Sequence, residues 1–253
     1  MKIILCLHKI SHKYHSNSGE TSALKDISFC LNDGEFLSIV GPSGSGKTTI
    51  LSLISGLIKA SEGQIVIDGI EATGTNRDTG YMFQRDQLFE WRTIRQNITL
   101  GLEIQKKMTP ENLKMIDALI EKYGLKEFSN HYPRALSGGM RQRVALIRTL
   151  ATSPKLLLLD EPFSALDFQT RLNVCDDVYG IIKNEKKSAI LVTHDISEAI
   201  SMSDRIIMLS NRPATIAHEY VLDMNECATP LKRRECKKFG YWFDKIWKDL
   251  EKL

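Results

Sequence analysis

The chain has 253 residues, 42% of them hydrophobic and 26% charged, which is enough apolar material for one sizeable core. Its 34 lysines and arginines exceed its 31 acids by only three, a balance that excludes a protein built mainly to coat nucleic acid. No run of about eighteen apolar residues occurs, so no membrane-spanning helix is expected.

From the start of the chain, MKIILCLHKI has an apolar stretch, residues 3–7, too short for a signal peptide and without a small-residue cleavage site; a first strand is expected instead. Cys6, Cys30, Cys175, Cys227 and Cys236 are odd in number, scattered and without a C-x-x-C pair. The expectation is a soluble cytoplasmic protein in a reducing compartment, with neither a disulfide framework nor a zinc site. FLSIV (36–40), QIVI (64–67), LLLLD (156–160), AILVTH (189–194) and RIIML (205–209) are apolar nearly throughout. Such runs predict strands of a parallel sheet covered on both faces. Helical patterns lie at 48–57, 112–123, 139–152 and 168–184, and their alternation with the strands predicts a doubly wound α/β core. From about Thr93 to Leu150 helix follows helix, punctuated by Pro110 and Pro133, as in a helical subdomain inserted into that core. Beyond about Asn225 the chain turns basic and then aromatic. Trp242, Phe243, Ile246, Trp247 and Leu250 recur at the spacing of one helical face, which predicts a tail packed back on the domain. Lys232, Arg233, Arg234, Lys237 and Lys238 leave an anionic lipid surface as the alternative for this tail.

Three motifs carry chemistry. Gly41, Pro42, Ser43, Gly44, Ser45, Gly46, Lys47, Thr48 and Thr49 fit G-x-x-x-x-G-K-[ST] between a strand and a helix, the context in which that motif cradles phosphates. Glycines let successive N–H groups turn inward, Lys47 reaches the β- and γ-phosphates, and the Thr48 hydroxyl can ligate Mg²⁺. In LLLLDEP, Asp160 emerges at a strand's carboxyl end and would share that ion, while Glu161 is placed to polarise an attacking water. LSGGMRQR at 136–143 is a second Ser-Gly-Gly turn opening onto a helix, a second anion site in a chain with room for one nucleotide fold.

Taken in order, these motifs resemble those of the ATP-binding-cassette (ABC) ATPases across essentially the whole chain. GPSGSGKTT looks like Walker A, LLLLDEP like Walker B and LSGGMRQR like the signature motif. Gln84 in YMFQRDQLF matches the Q-loop, Asp167 in SALD the D-loop, His194 in LVTHD the switch histidine, and Tyr14 the aromatic that stacks on adenine. Alone, Gln84 would read as a strand end, His194 as a structural histidine and Tyr14 as core. The resemblance implies a P-loop NTPase (RecA-like) core, with a parallel central sheet, an N-terminal antiparallel β portion and an inserted α-helical subdomain. It spans residues 1–225, with the helical subdomain at about 93–150 and the tail at 226–253. It implies ATP and Mg²⁺ as cofactors, with Thr48, Asp160 and Gln84 around the metal and Glu161, His194 and Gln84 in catalysis. It further implies a head-to-tail homodimer, in which Ser137, Gly138, Gly139, Met140, Arg141 and Gln142 act on ATP bound to the other subunit.

The single cassette, without a long coiled-coil insertion, favours a transporter subunit over a nucleic-acid-associated ATPase. Phe83, Leu88, Phe89 and Trp91 gather apolar surface around Gln84, where the family receives a short helix of the membrane permease. LFEWRTIRQNI, LSGGMRQR and LSNRP look most like importer ATPases for nitrate, sulfonates, taurine and thiamine precursors, although Ile147, Arg148 and Thr149 depart from the usual signature helix. The implied protein lies peripherally on the inner face of the cell membrane, under a permease fed by an extracytoplasmic solute-binding protein. An exporter, a lipid-handling ATPase and a soluble ABC ATPase are the alternatives.

Overall fold

A computed structural model describes residues 2–16, 19–224 and 226–253, so the expected boundary at Asn225 falls outside the described residues. Two sheets organise it. β1 (Ile3–Ser16) and β2 (Gly19–Asn32) form a long antiparallel pair, which β4 (Glu62–Ile67) and β5 (Ile70–Glu71) extend in the order β2-β1-β4-β5. The second sheet runs β10-β9-β3-β8-β7-β6. Its strands β3 (Phe36–Val40), β6 (Thr79–Met82), β7 (Leu156–Asp160), β8 (Ser188–Val192) and β9 (Arg205–Leu209) are parallel, while β10 (Ile216–Val221) pairs antiparallel with β9.

β3, β7 and β8 are buried at every position, because layers cover both faces of the sheet. One layer contains α1 (Lys47–Ile54) and the antiparallel sheet. The other is built around α4 (Gly138–Leu150) and α5 (Phe168–Asn184). QIVI departs from its expected place. It lies in the antiparallel sheet, where β4 exposes its first three residues and buries Ile65 and Ile67.

Registry sets the position of the site. Val192 lies beside Ile39 on one side and Asp160 on the other, so the segments after β3, β7 and β8 leave along one edge of the sheet. The insertion contains α2 (Ile94–Ile104), α3 (Pro110–Lys122), two short 3₁₀ turns and α4. Val144 and Ile147 of α4 join the insertion's apolar cluster, whereas Ala145, Leu146 and Leu150 join that of the main sheet. One helix therefore ties the two bodies together.

α6 (Ile196–Met202), α7 (Pro230–Glu235) and α8 (Lys237–Leu250) close the far side. Ile246 is buried, and Trp242, Phe243 and Leu250 pack beside it against Ile196, Ile200, Tyr220 and Met224. Trp247 and Tyr241 face outward. The buried Arg233 guanidinium donates to the carbonyls of Cys227, Ser201 and Ser203 and fastens α7 to the end of α6. The cysteines correct the expectation of free thiols. Cys6 and Cys30 stand opposite each other on β1 and β2 and form a disulfide, leaving Cys175, Cys227 and Cys236 free.

Candidate functional site

The phosphate loop starts where β3 ends, and close packing explains its glycines. A Cβ on Gly41 would lie 2.9 Å from the Leu209 carbonyl, and one on Gly46 would lie 2.7 Å from Leu24 Cδ2. Gly46 adopts φ 86 and precedes α1 without a side-chain cap, so no capping side chain takes the N–H groups of the first turn. Uncapped donors at a helix start favour an anion. Lys47 is buried and its Nζ donates to the carbonyls of Gly41 (3.0 Å) and Pro42 (2.9 Å). Burial pulls its pKa below the ordinary lysine value, against the attraction of Glu161 and Asp160.

Asp160 ends β7 beneath the loop. Thr48 Oγ1 donates to its Oδ1 at 3.0 Å, and the Tyr81 hydroxyl donates to its Oδ2 at 3.0 Å. Burial raises the carboxyl's pKa, and these two hydrogen bonds oppose the rise. Thr48 and Asp160 offer adjacent oxygen ligands of the kind Mg²⁺ prefers. Ser45 Oγ is buried without a hydrogen-bond partner among the described residues, a polar atom left for a bound group or water. The donor set thus fits a polyphosphate with a hard divalent ion.

Glu161 has φ 44, a left-handed conformation that costs a non-glycine residue about 1–3 kcal/mol. Three hydrogen bonds hold it there. Its N–H donates to the Val192 carbonyl, and its own carbonyl accepts from the Ser164 N–H and hydroxyl. This geometry carries the side chain to His194, whose Nδ1 lies 3.1 Å from Glu161 Oε2. Ser43, Gly44, Gly46, Lys47, Thr48, Thr49, Glu161, His194 and Arg212 line one cavity of 530 Å³. Tyr14 stands at its rim, with its hydroxyl 3.0 Å from Thr49 Oγ1 and its half-exposed ring edge-on to His12.

Gln84 is not brought to Thr48 or Asp160. Its Nε2 donates to Ser164 Oγ at 3.3 Å, which connects it to the backbone of Glu161. Asp167 caps α5 by accepting the Thr170 N–H at 3.0 Å.

The signature residues line no part of this cavity. Ser137 is exposed and caps α4 itself, accepting the Met140 N–H. Gly138 is exposed beside it, while Gly139 packs on Val174. Gln142 is buried, its Oε1 without a partner among the described residues. Arg141 turns toward the segment after Gln84 and donates to Asp86 at 2.7 and 3.1 Å and to Glu90 at 2.7 Å. Arg148, two turns further along the same face of α4, donates to the carbonyls of Asp86 and Gln87. Burial alone would raise the Asp86 pKa, but Arg141 and the Leu88 N–H hold it below the usual carboxylate range.

The four aromatic and aliphatic residues near Gln84 divide. Leu88 is 7% exposed and belongs to the insertion's core, whereas Phe83 is 44% and Trp91 73% exposed. Phe89 stacks on Trp91 at 4.8 Å. A second cavity of 590 Å³ opens between β6, α2 and α4 and is lined by Tyr81, Leu100, Ile104 and Arg148 among others. Sequence reasoning did not find Asp86, Glu90 or Arg212, because each meets its partner only through the fold.

The profile of the ABC transporter family matches residues 24–164. An uncharacterized ABC transporter ATP-binding protein of Bacillus subtilis is 47% identical over 96% of this chain and 94% of its own. A nitrate import ATP-binding protein of Synechocystis is 43% identical over 88% and 86%, and a taurine import ATP-binding protein of Jannaschia 37% over 92% and 88%. Among solved structures, a dimeric ATP-binding cassette in a post-hydrolysis state, bound to ADP and Pi, superimposes with a TM-score of 0.73 at 32% identity, over 87% of this chain and 99% of that one.

Proposed function

The chain belongs to the ABC transporter family, and on that premise we propose how its residues divide the work of an importer ATPase. It is the ATP-hydrolysing subunit. The observation that carries the assignment is the convergence of Lys47, Glu161 and His194, from beyond the ends of three neighbouring strands, on one cavity, with Asp160 bonded to Thr48 in its wall. The phosphate loop and Lys47 bind the triphosphate of ATP. Thr48 and Asp160 would hold Mg²⁺, which would supply positive charge against the phosphates. Glu161 accepts a proton from the attacking water, and His194 Nδ1 orients its carboxylate. Gln84 reports on this pair through Ser164, and Tyr14 offers its ring to the adenine.

Ser137 and Gly138, exposed and outside their own chain's cavity, with Gly139 packed behind them on Val174, meet the nucleotide of a second copy arranged head to tail. Two-fold pairing then completes two sites at once. Phe83, Phe89 and Trp91 form the face offered to a membrane permease, with Leu88 supporting it from within. The brace from Asp86 and Gln87 to Arg141 and Arg148 joins that face to α4, so movement at the permease is felt at the signature turn. The cargo, supplied by an extracytoplasmic solute-binding protein, is a small molecule of the nitrate, sulfonate, taurine or pyrimidine-precursor type.

Glu161→Gln tests the central role. It should bind ATP like the parent, hydrolyse it about a hundred- to ten-thousandfold more slowly and elute as a stable dimer when ATP and Mg²⁺ are present. Near-parental turnover would remove Glu161 from its place.

A further inference from the structure

The cavity has a member that the hydrolytic roles above do not use. Arg212 lies in the turn between β9 and β10 and lines the cavity beside Lys47, Glu161 and His194. Its Nε and one terminal nitrogen both donate to the Gly44 carbonyl, at 3.2 and 2.9 Å. We propose that Arg212 is a positioning residue for the phosphate loop, gripping the Gly44 carbonyl from outside so that the loop is held ready for the nucleotide's phosphates.

The turn is built to hold this arginine in place. Ser210 and Thr215 close its base, with Ser210 N–H donating to the Thr215 carbonyl at 3.0 Å and Thr215 N–H to Ser210 Oγ at 2.9 Å. Ala214 bridges to β2, donating its N–H to the Ala23 carbonyl and accepting the Lys25 N–H, both at 2.9 Å. The same stretch of β2 supports the loop, because Leu24 fills the space beside Gly46. Leu209, just before the turn, packs against Gly41. Loop and turn therefore share one platform, and Arg212 spans the gap between them.

Peptide geometry explains why this carbonyl matters. The Gly44 carbonyl and the Ser45 N–H belong to one planar trans unit and point in opposite directions. The Ser45 N–H donates to the Pro42 carbonyl at 3.2 Å, and Arg212 holds the other end. With both ends fixed, this glycine-flanked peptide loses the rotation that would otherwise be frozen when phosphate binds. The planar fork of arginine suits two donors converging on one oxygen, and a lysine cannot reproduce it. The guanidinium also adds positive charge beside Lys47, which favours a polyphosphate.

This inference rests on the reading of the cavity as the ATP site, and the experiment separates the two. The full-length protein, Arg212→Ala and Arg212→Lys are titrated with fluorescent ATP and ADP analogues, and steady-state hydrolysis is then measured. Arg212→Ala should weaken both nucleotides by the same factor, about five- to tenfold, and raise KM by that factor, with kcat within about twofold of the parent and an unchanged melting temperature. Arg212→Lys, which keeps the charge but not the fork, should recover part of the loss. Parental affinity in Arg212→Ala overturns the proposal. So does a loss confined to ATP, which would mean contact with the terminal phosphate and not support of the loop. Full recovery by lysine also overturns it, because charge alone would then suffice. A parent protein that binds neither nucleotide overturns the ATP-site reading itself.

Discussion

Two helices of this molecule begin at Ser/Gly-rich turns, and they are finished differently. α1 starts at Gly46 without a capping side chain, faces the cavity and is accompanied by Lys47, Asp160, Glu161 and Arg212. α4 starts at Ser137, which caps the helix with its own hydroxyl, and its exposed turn lines no part of that cavity. Both present N–H groups suited to an anion. Only the first has the cations, acids and packed walls that a nucleotide's phosphates need within one chain, which is why we propose α1 as a binding site and α4 as half of one.

The sharpest test of that difference is to damage each turn in turn. Lys47→Ala should abolish binding and hydrolysis together, with turnover falling about a hundred- to a thousandfold and nucleotide titrations of the single subunit showing the loss directly. Ser137→Arg should leave nucleotide binding by the single subunit near the parental value and lower hydrolysis about tenfold or more, because the added bulk and charge act only on a paired site. A mixed dimer of Ser137→Arg with Lys47→Ala should retain one intact composite site and measurable turnover. Loss of nucleotide binding by the Ser137→Arg subunit alone would erase the distinction between the two turns.

A smaller effect should separate the brace on α4 from the turn at its start. The Asp86 carboxyl titrates below its ordinary range in the folded protein, so its pairing with Arg141 stabilises the fold fully above the unfolded carboxylate pKa of about 4. That contribution is lost as pH falls through the lower folded value. Solvent screening keeps the pair to about 1 kcal/mol. Asp86→Asn should therefore melt about 2–4 °C lower at neutral pH, and the gap from the parent should close on acidification below about pH 4. A gap that persists unchanged in acid would assign the effect to packing and not to the ion pair.

The parts of the fold visible in the sequence are those governed by burial. β3, β7 and β8 read as strands because both faces are covered, and α5 spans the stretch its pattern predicts, opening at an Asp167 cap. QIVI shows the limit, since an apolar run does not reveal whether its neighbours are parallel or antiparallel. Cys6 and Cys30 show another, because only the β1–β2 register sets them opposite each other. At the site, the residues of local motifs were legible as motifs. The Asp86–Arg141 brace joins residues 55 positions apart, and Arg212 reaches Gly44 across 168. Contacts of that span leave no periodicity or spacing to read. The φ 44 backbone of Glu161 is equally invisible in the letters, although it aims the side chain at His194.

The turn that carries Arg212 has one more attachment. Asn211, its neighbour, donates its side-chain amide to the carbonyl of Leu253, beyond the end of α8. In mechanical terms this contact closes residues 211–253 into a loop, so that α8 is tied back to the turn whose next residue is Arg212.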